Sequence, residues 1–253
     1  MYGDGSYSQI LNPKADSELG DMACLALSKF RKMRNEQIRP ILLTLMHQKS
    51  LENISNSEFD DIIVFIMRFL FSYVIIGRER TNNLQDTIYR HASILEKDFT
   101  KDNLNKFLEN LKSKIPNKEW FNSLFQNVGY SRNGLNNDRK QKETAQIVLE
   151  LHEQYLSKLN EIGDFTIEHI LPDSESDNNS RIGNLLPLEE GLNKQCGDKT
   201  LAEKMAIYEK SRFQVVQCFV KRYKDAPKTF DIKKRTEHMA TLFYKEILKL
   251  PMA

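Results

Sequence analysis

Ile167-Glu168-His169-Ile170-Leu171-Pro172, then Ile182-Gly183-Asn184-Leu185, then Leu192-Asn193-Lys194 are the segments on which the reading of this chain turns. Phe165-Thr166-Ile167 is short and β-like, and Pro172 closes it. The polar stretch Asp173 to Ser180 reads as turns. Ile182 to Leu186 reads as a second short strand, although Gly183 sits inside it. A helix follows from about Glu189. The segment is thus a small β–β–α patch.

Outward from this patch the pattern is helical on both sides. Leu25, Leu27, Phe30 and Met33 begin an amphipathic helix, and Pro40 favours a fresh helix start before Ile41, Leu42, Leu45 and Met46. Ser57 is a candidate cap for a helix carrying Phe59, Ile62, Ile63, Ile66, Phe69, Leu70, Tyr73 and Val74, apolar on most sides and so central in a bundle. Further helices are expected near 83–97, 101–114, 118–126 and 139–159, with 127–138 a Gly- and Asn-rich loop. Beyond the patch, helices are expected over 201–210, 213–223 and 231–248, the last capped by Asp231. The expected organisation is a flexible arm over 1–15, a helical domain over 16–160, and a region 161–253 holding the patch (about 164–211) and C-terminal helices. The fold class is mainly α, a helical bundle with an embedded ββα motif.

Composition sets bounds. The chain has 253 residues, 40% hydrophobic and 28% charged, enough to bury a core without staples. Net charge is only +2, so composition alone does not announce a nucleic-acid binder. Basic residues cluster in Arg31-Lys32-Met33-Arg34, Gly77-Arg78-Glu79-Arg80 and Lys233-Lys234-Arg235, each of which also reads as a solvated helix face. Cys24, Cys196 and Cys218 form no CxxC pair, which argues against a disulfide framework or a four-Cys zinc site and fits a reducing cytoplasm. The apolar run Ile62 to Ile76 contains Arg68 and falls short of the roughly 20 residues a membrane span needs. No membrane association is expected.

The quoted residues suit phosphodiester hydrolysis. A water must lose its proton near neutral pH, and a His of pKa about 6.5 is matched to that task. The leaving alkoxide needs a Lewis acid, and a divalent cation takes hard oxygen ligands such as a carboxylate and an amide carbonyl. Glu168 and an Asn from the following helix offer both. Neighbours in a regular strand point to opposite faces, so Glu168 and His169 converge only if the strand ends there.

These segments resemble the nuclease motif of the His-Me finger (HNH, ββα-metal) superfamily. They are most similar to the C-terminal domain of GmrSD-like type IV, modification-dependent restriction enzymes. The resemblance rests on Glu168-His169-Ile170-Leu171-Pro172, Gly183-Asn184-Leu185, Leu192-Asn193-Lys194, then Leu201-Ala202-Glu203-Lys204 and Tyr208. It implies a metal-dependent DNA endonuclease with one Mg²⁺ or Mn²⁺, leaving 5′-phosphate and 3′-hydroxyl ends. His169 would be the general base, and Asn184 would pin the loop that orients it. Glu168 and Asn193 would be the metal ligands, and Lys194 and Lys204 would contact substrate. Gly77-Arg78-Glu79-Arg80-Thr81-Asn82-Asn83 resembles a recurring element of the family's helical part, giving Arg78 and Arg80 as candidate phosphate contacts or as helix-end caps.

The resemblance further implies double-stranded DNA, modified or not, as substrate, and a place in a bacterial anti-phage system. Relatives usually carry an N-terminal NTP-handling, sensing domain, marked by a D-G-x-Q-R-like element that this sequence lacks. Either the chain is a nuclease fragment or a separate protein supplies that control. A homodimer would let both strands be cut. Two alternatives stay open from sequence: a non-catalytic DNA-binding or assembly module of the same shape, and an RNase-type toxin. His47, His91, His152 and His238 lie in helical pattern and read as structural or exposed.

Overall fold

The computed structural model describes residues 19–32, 36–80, 82–132, 138–172 and 175–251. The arm over 1–15, part of the Arg31–Arg34 cluster, Thr81, Asp173 and the middle of the 127–138 loop therefore lie outside the described residues. The chain is mainly α and forms two compact units, 1–117 and 118–253.

The first unit is built from helices α1 (Asp21–Lys32), α2 (Arg39–Ser50), α3 (Asn56–Leu70), α4 (Asn82–Lys97) and α5 (Lys101–Lys112). Pro40 falls in the first turn of α2, where its missing N–H costs nothing. The cap of α3 is Ser55, whose side chain accepts from Glu58 N at 3.2 Å, and not Ser57. Ser55 precedes the first helical residue and so reaches the N–H groups left without helical partners. Ser57 already lies inside the helix. α1 packs on α3 and α2 on α4. Ile41, Leu45, Phe59, Ile63, Ile66 and Phe107 are fully buried. The run Ile62 to Ile76 is the end of α3 prolonged by a π-helical turn over Phe71–Ile76. Among the described residues, no helix is long and apolar enough to cross a membrane.

The second unit holds α6 (Lys118–Phe125), α7 (Arg139–Ser157), β1 (Thr166–His169), β2 (Leu185–Leu188), α8 (Glu190–Cys196), α9 (Leu201–Tyr208), α10 (Gln214–Tyr223) and α11 (Ile232–Leu242). The division of the chain thus falls at Asn117/Lys118, and not at the expected 160/161. The physical reason is that α7 packs against β2 and α10, and α6 against α11. β1 and β2 are antiparallel, with Thr166 opposite Leu188 and His169 opposite Leu185. β1 runs two residues beyond its expected end, and β2 starts three residues and ends two residues later than expected. Ile182–Asn184 is a 3-10 turn, and β2 begins only after it.

A two-stranded sheet of four-residue strands cannot sustain itself and must be held by its surroundings. Ile170, Leu186, Leu188, Cys196, Tyr208, Phe213, Val216 and Phe219 form the core beneath it. Glu153 of α7 caps α10, accepting from Gln214 N at 2.9 Å and Val215 N at 2.8 Å. Buried Arg235 of α11 donates to Gly183 O at 2.7 Å and Leu185 O at 3.0 Å. Gly183 permits that approach: a Cβ there would lie 2.3 Å from both Ile232 O and Thr236 Oγ1. Asp231 caps α11 as its sequence position predicts, accepting from Lys234 N at 2.9 Å.

Candidate active site

β1 stops at His169, so the strict alternation of a strand is not enforced beyond it. Glu168 and His169 both line one pocket of about 510 Å³, together with Asn193, Lys194, Arg132 and Lys204. All of the residues lining this pocket belong to the second unit.

The His169 imidazole is oriented from outside the β–β–α patch. Its Nε2 lies 2.8 Å from the Tyr130 carbonyl oxygen. A carbonyl only accepts, so Nε2 carries the proton, and in the neutral ring Nδ1 is the nitrogen without one. Tyr130 is held in turn by pairing between 128–130 and 180–182. Tyr130 N donates to Ser180 O at 2.8 Å, Ile182 N to Val128 O at 2.9 Å, and Gly129 bridges Arg181. Gly129 is needed there, because a Cβ would come within 2.2 Å of Ser180 O. The first part of the expected 127–138 loop is therefore extended chain.

Asn184 is fully buried and clamps the exit of β1. Its Oδ1 accepts from Leu171 N at 2.9 Å, and its Nδ2 donates to Leu171 O at 2.8 Å and Asn179 O at 2.7 Å. Such a double bond to one residue's N–H and C=O fixes the turn that follows His169. Asn184 does not reach the pocket itself, so its place is that of a positioning residue.

Asn193 of α8 donates from Nδ2 to Thr166 Oγ1 at 2.9 Å and Ile167 O at 3.1 Å. Both amide hydrogens are thereby spent on β1, which sets the amide's orientation and leaves Oδ1 as the atom it can offer a cation. Glu168 is 4% exposed, and its Oε1 accepts from Tyr208 OH at 2.9 Å and pairs with Lys204 Nζ at 2.8 Å. Burial, and then the Glu168 charge, push the Tyr208 hydroxyl well above its ordinary pKa, so it remains a donor. The same two causes push the neighbouring Cys196 thiol up to about 12.

These groups fit a hard divalent cation of the kind the sequence resemblance implies. A carboxylate and an amide oxygen face one pocket, and the amide is held so that oxygen is the atom offered. Among the described residues no group of three or more His, Cys, Asp or Glu could hold a metal, so a thiolate- or imidazole-rich zinc site does not fit.

Three of the four expected substrate contacts, Lys204, Arg78 and Arg80, have other surroundings than Lys194. Lys204 is 1% exposed, and its ammonium is committed to Glu168 Oε1, His169 O at 2.7 Å and Ile170 O at 3.3 Å. All three of its donors are used, so it cannot also grip a phosphate. Arg78 and Arg80 are exposed residues of the first unit, beyond the π-helical turn, and Arg78 has a left-handed φ of 55°. They are not among the residues that line the pocket. Lys194 is exposed at the pocket and pairs with Glu190 at 2.6 Å.

Sequence reasoning missed Tyr130, Arg132 and Thr166 altogether. The Tyr130 contribution is a backbone carbonyl 39 residues from His169, for which no side-chain signal exists. Tyr208 was noticed only as an aromatic residue; its spacing of four from Lys204 on one helix was the available sign that both meet the same group.

No curated protein matches the chain. The family described as GmrSD restriction endonucleases, C-terminal domain, matches residues 105–242, a span that contains every residue lining the pocket and covers more than half of the chain. The chain belongs to this family of restriction endonuclease C-terminal domains.

Proposed function

We propose that this chain is a metal-dependent DNA endonuclease domain of the His-Me finger type, the cutting part of a restriction system directed against foreign DNA. The observation that carries the reading is the His169 ring, tautomerically set by the Tyr130 carbonyl and placed in one pocket with the oxygen donors of Glu168 and Asn193.

In this reading His169 takes a proton from the attacking water at Nδ1. The bond from Nε2–H to Tyr130 O strengthens as the ring becomes cationic, which stabilises the charge developing there. Glu168 and Asn193 would hold one Mg²⁺ or Mn²⁺, which when bound would act as Lewis acid for the leaving oxygen. Arg132 and Lys194, both exposed at the pocket, hold the phosphates flanking the cut. Asn184 and Lys204 keep the backbone around His169 in place and touch no substrate.

Plasmid nicking tests the proposal. The wild-type chain with Mg²⁺ or Mn²⁺ should convert supercoiled DNA to nicked circles, and chelator should stop it. His169→Ala should lose about 10²–10⁴-fold in rate, the usual contribution of a general base, with an unchanged melting temperature. Equal cutting, or equal inertness, of wild type and His169→Ala would remove the hydrolase reading. A matched RNA substrate run alongside should be cut poorly; preferential RNA cutting would replace the DNA reading with the RNase one.

A further inference from the structure

The candidate metal ligand Glu168 already has a cation. Lys204 Nζ sits 2.8 Å from its Oε1, with side-chain exposures of only 2% and 5%. Lys204 also cannot swing away, because His169 O and Ile170 O hold the same ammonium at 2.7 and 3.3 Å. The pair at the pocket rim, Lys194 with Glu190, is of the opposite kind: both side chains are largely exposed, at 75% and 68%, and are free to part. A buried carboxylate with no counter-charge would carry a heavy desolvation cost, and Lys204 removes it whether or not any metal is bound.

The same arrangement limits what the protein alone offers a divalent ion. A Mg²⁺-like ion takes about six oxygen ligands. Of the pocket's lining carboxylates, Glu168 is matched by buried Lys204 and Glu190 by Lys194, Asp198 is exposed in the loop after α8, and Asn193 adds one neutral amide. A substrate phosphate would bring further negative charge and further oxygens beside the matched Glu168.

We infer that Lys204 is a built-in stand-in for the cation: by itself it keeps the pocket formed, and it makes divalent-ion binding depend on the substrate phosphate. The inference rests on the nuclease reading. It gives Lys204 a positioning role through Glu168, and it predicts positive coupling between metal and DNA, which linkage makes reciprocal.

The test measures Mn²⁺ affinity by the electron paramagnetic resonance of free Mn²⁺, using the full chain carrying His169→Ala so that DNA is not consumed. Titrations are run with and without a DNA duplex, the duplex's own Mn²⁺ uptake being subtracted. DNA should tighten site binding by about tenfold or more. Equal affinity with and without DNA would overturn the inference and leave the nuclease reading standing. No Mn²⁺ site under either condition would overturn both.

Adding Lys204→Met should then tighten Mn²⁺ binding without DNA by about tenfold and make the melting temperature metal-dependent, since Glu168 would have lost its counter-charge. Mere structural damage weakens binding, so a folded Lys204→Met with unchanged or weaker affinity overturns the inference. If Lys204→Met does not fold, Tyr208→Phe decides, because it withdraws one donor from the same Glu168 oxygen. About two- to threefold tightening supports the inference and none overturns it.

Discussion

The two units handle buried polar groups differently. In the first, the described helices are held by apolar stripes, and fewer polar side chains are buried among them. Thr44 and Gln48 bond to the last turns of α4, and the ring nitrogens of His91 have no hydrogen-bond partner among the described residues. In the second, buried Asn184, Asn193, Lys204, Glu153 and Arg235 each bond backbone atoms of the small sheet, its exits or the helices beside it. A helix satisfies its own backbone and needs only a greasy face. Two short strands leave backbone groups over, and side chains must finish the work. Polar burial therefore concentrates where the pocket is.

Asn184→Ala should break this contrast most severely. It strands Leu171 N, Leu171 O and Asn179 O around a fully buried side chain, at a cost of about 3 kcal/mol. The turn after His169 would loosen with it, so nicking should fall about as far as in His169→Ala. Urea unfolding and plasmid nicking on one preparation check both. An Asn184→Ala protein with wild-type stability and rate would mean that the polar scaffold is dispensable.

The helices and their apolar faces were legible in sequence because they depend on neighbours three and four residues apart. The candidate site was legible as a set of residue types, since the spacing of Glu168, His169, Asn184 and Asn193 resembles a known nuclease motif. Burial was not. Lys204 reads as a surface cation until Glu168 and two carbonyls are seen around it. The start of β2 was misplaced because Gly183 and Asn184 are consumed by a 3-10 turn, while Pro187, which reads against a strand, is tolerated in a sheet of only two strands. Ser55, with Glu58 three residues on, carried the sequence signature of a helix start and was passed over for Ser57.

A smaller effect is expected from His152, which is buried in α7 edge-on to Phe243. Burial, then the charges of Arg235 and His238, lower its pKa to about 3. An unfolded imidazole takes a proton below about 6.5, whereas the folded one does not until about 3. The associated stability is therefore complete above pH 6.5 and is lost as pH falls from there towards 3. At pH 5 the loss is about 2 kcal/mol. Urea unfolding at pH 7.5 and pH 5 should show that loss in wild type and not in His152→Phe. A pH response shared by both proteins would move the cause to other groups.

The comparison is sharpened by the mildest change, Ser55→Ala. Like Asn184, Ser55 uses a side chain to satisfy a backbone group, here Glu58 N at the start of α3. It differs in being exposed and in making a longer bond of 3.2 Å, so water can take over much of what the hydroxyl does. The loss should be at the low end for a helix cap, about 0.5–1 kcal/mol, and nicking should stay at the wild-type rate. If Ser55→Ala costs as much as Asn184→Ala, then neither the number of backbone groups satisfied nor their isolation from water sets the energetics. The distinction between the units would then lose its physical basis.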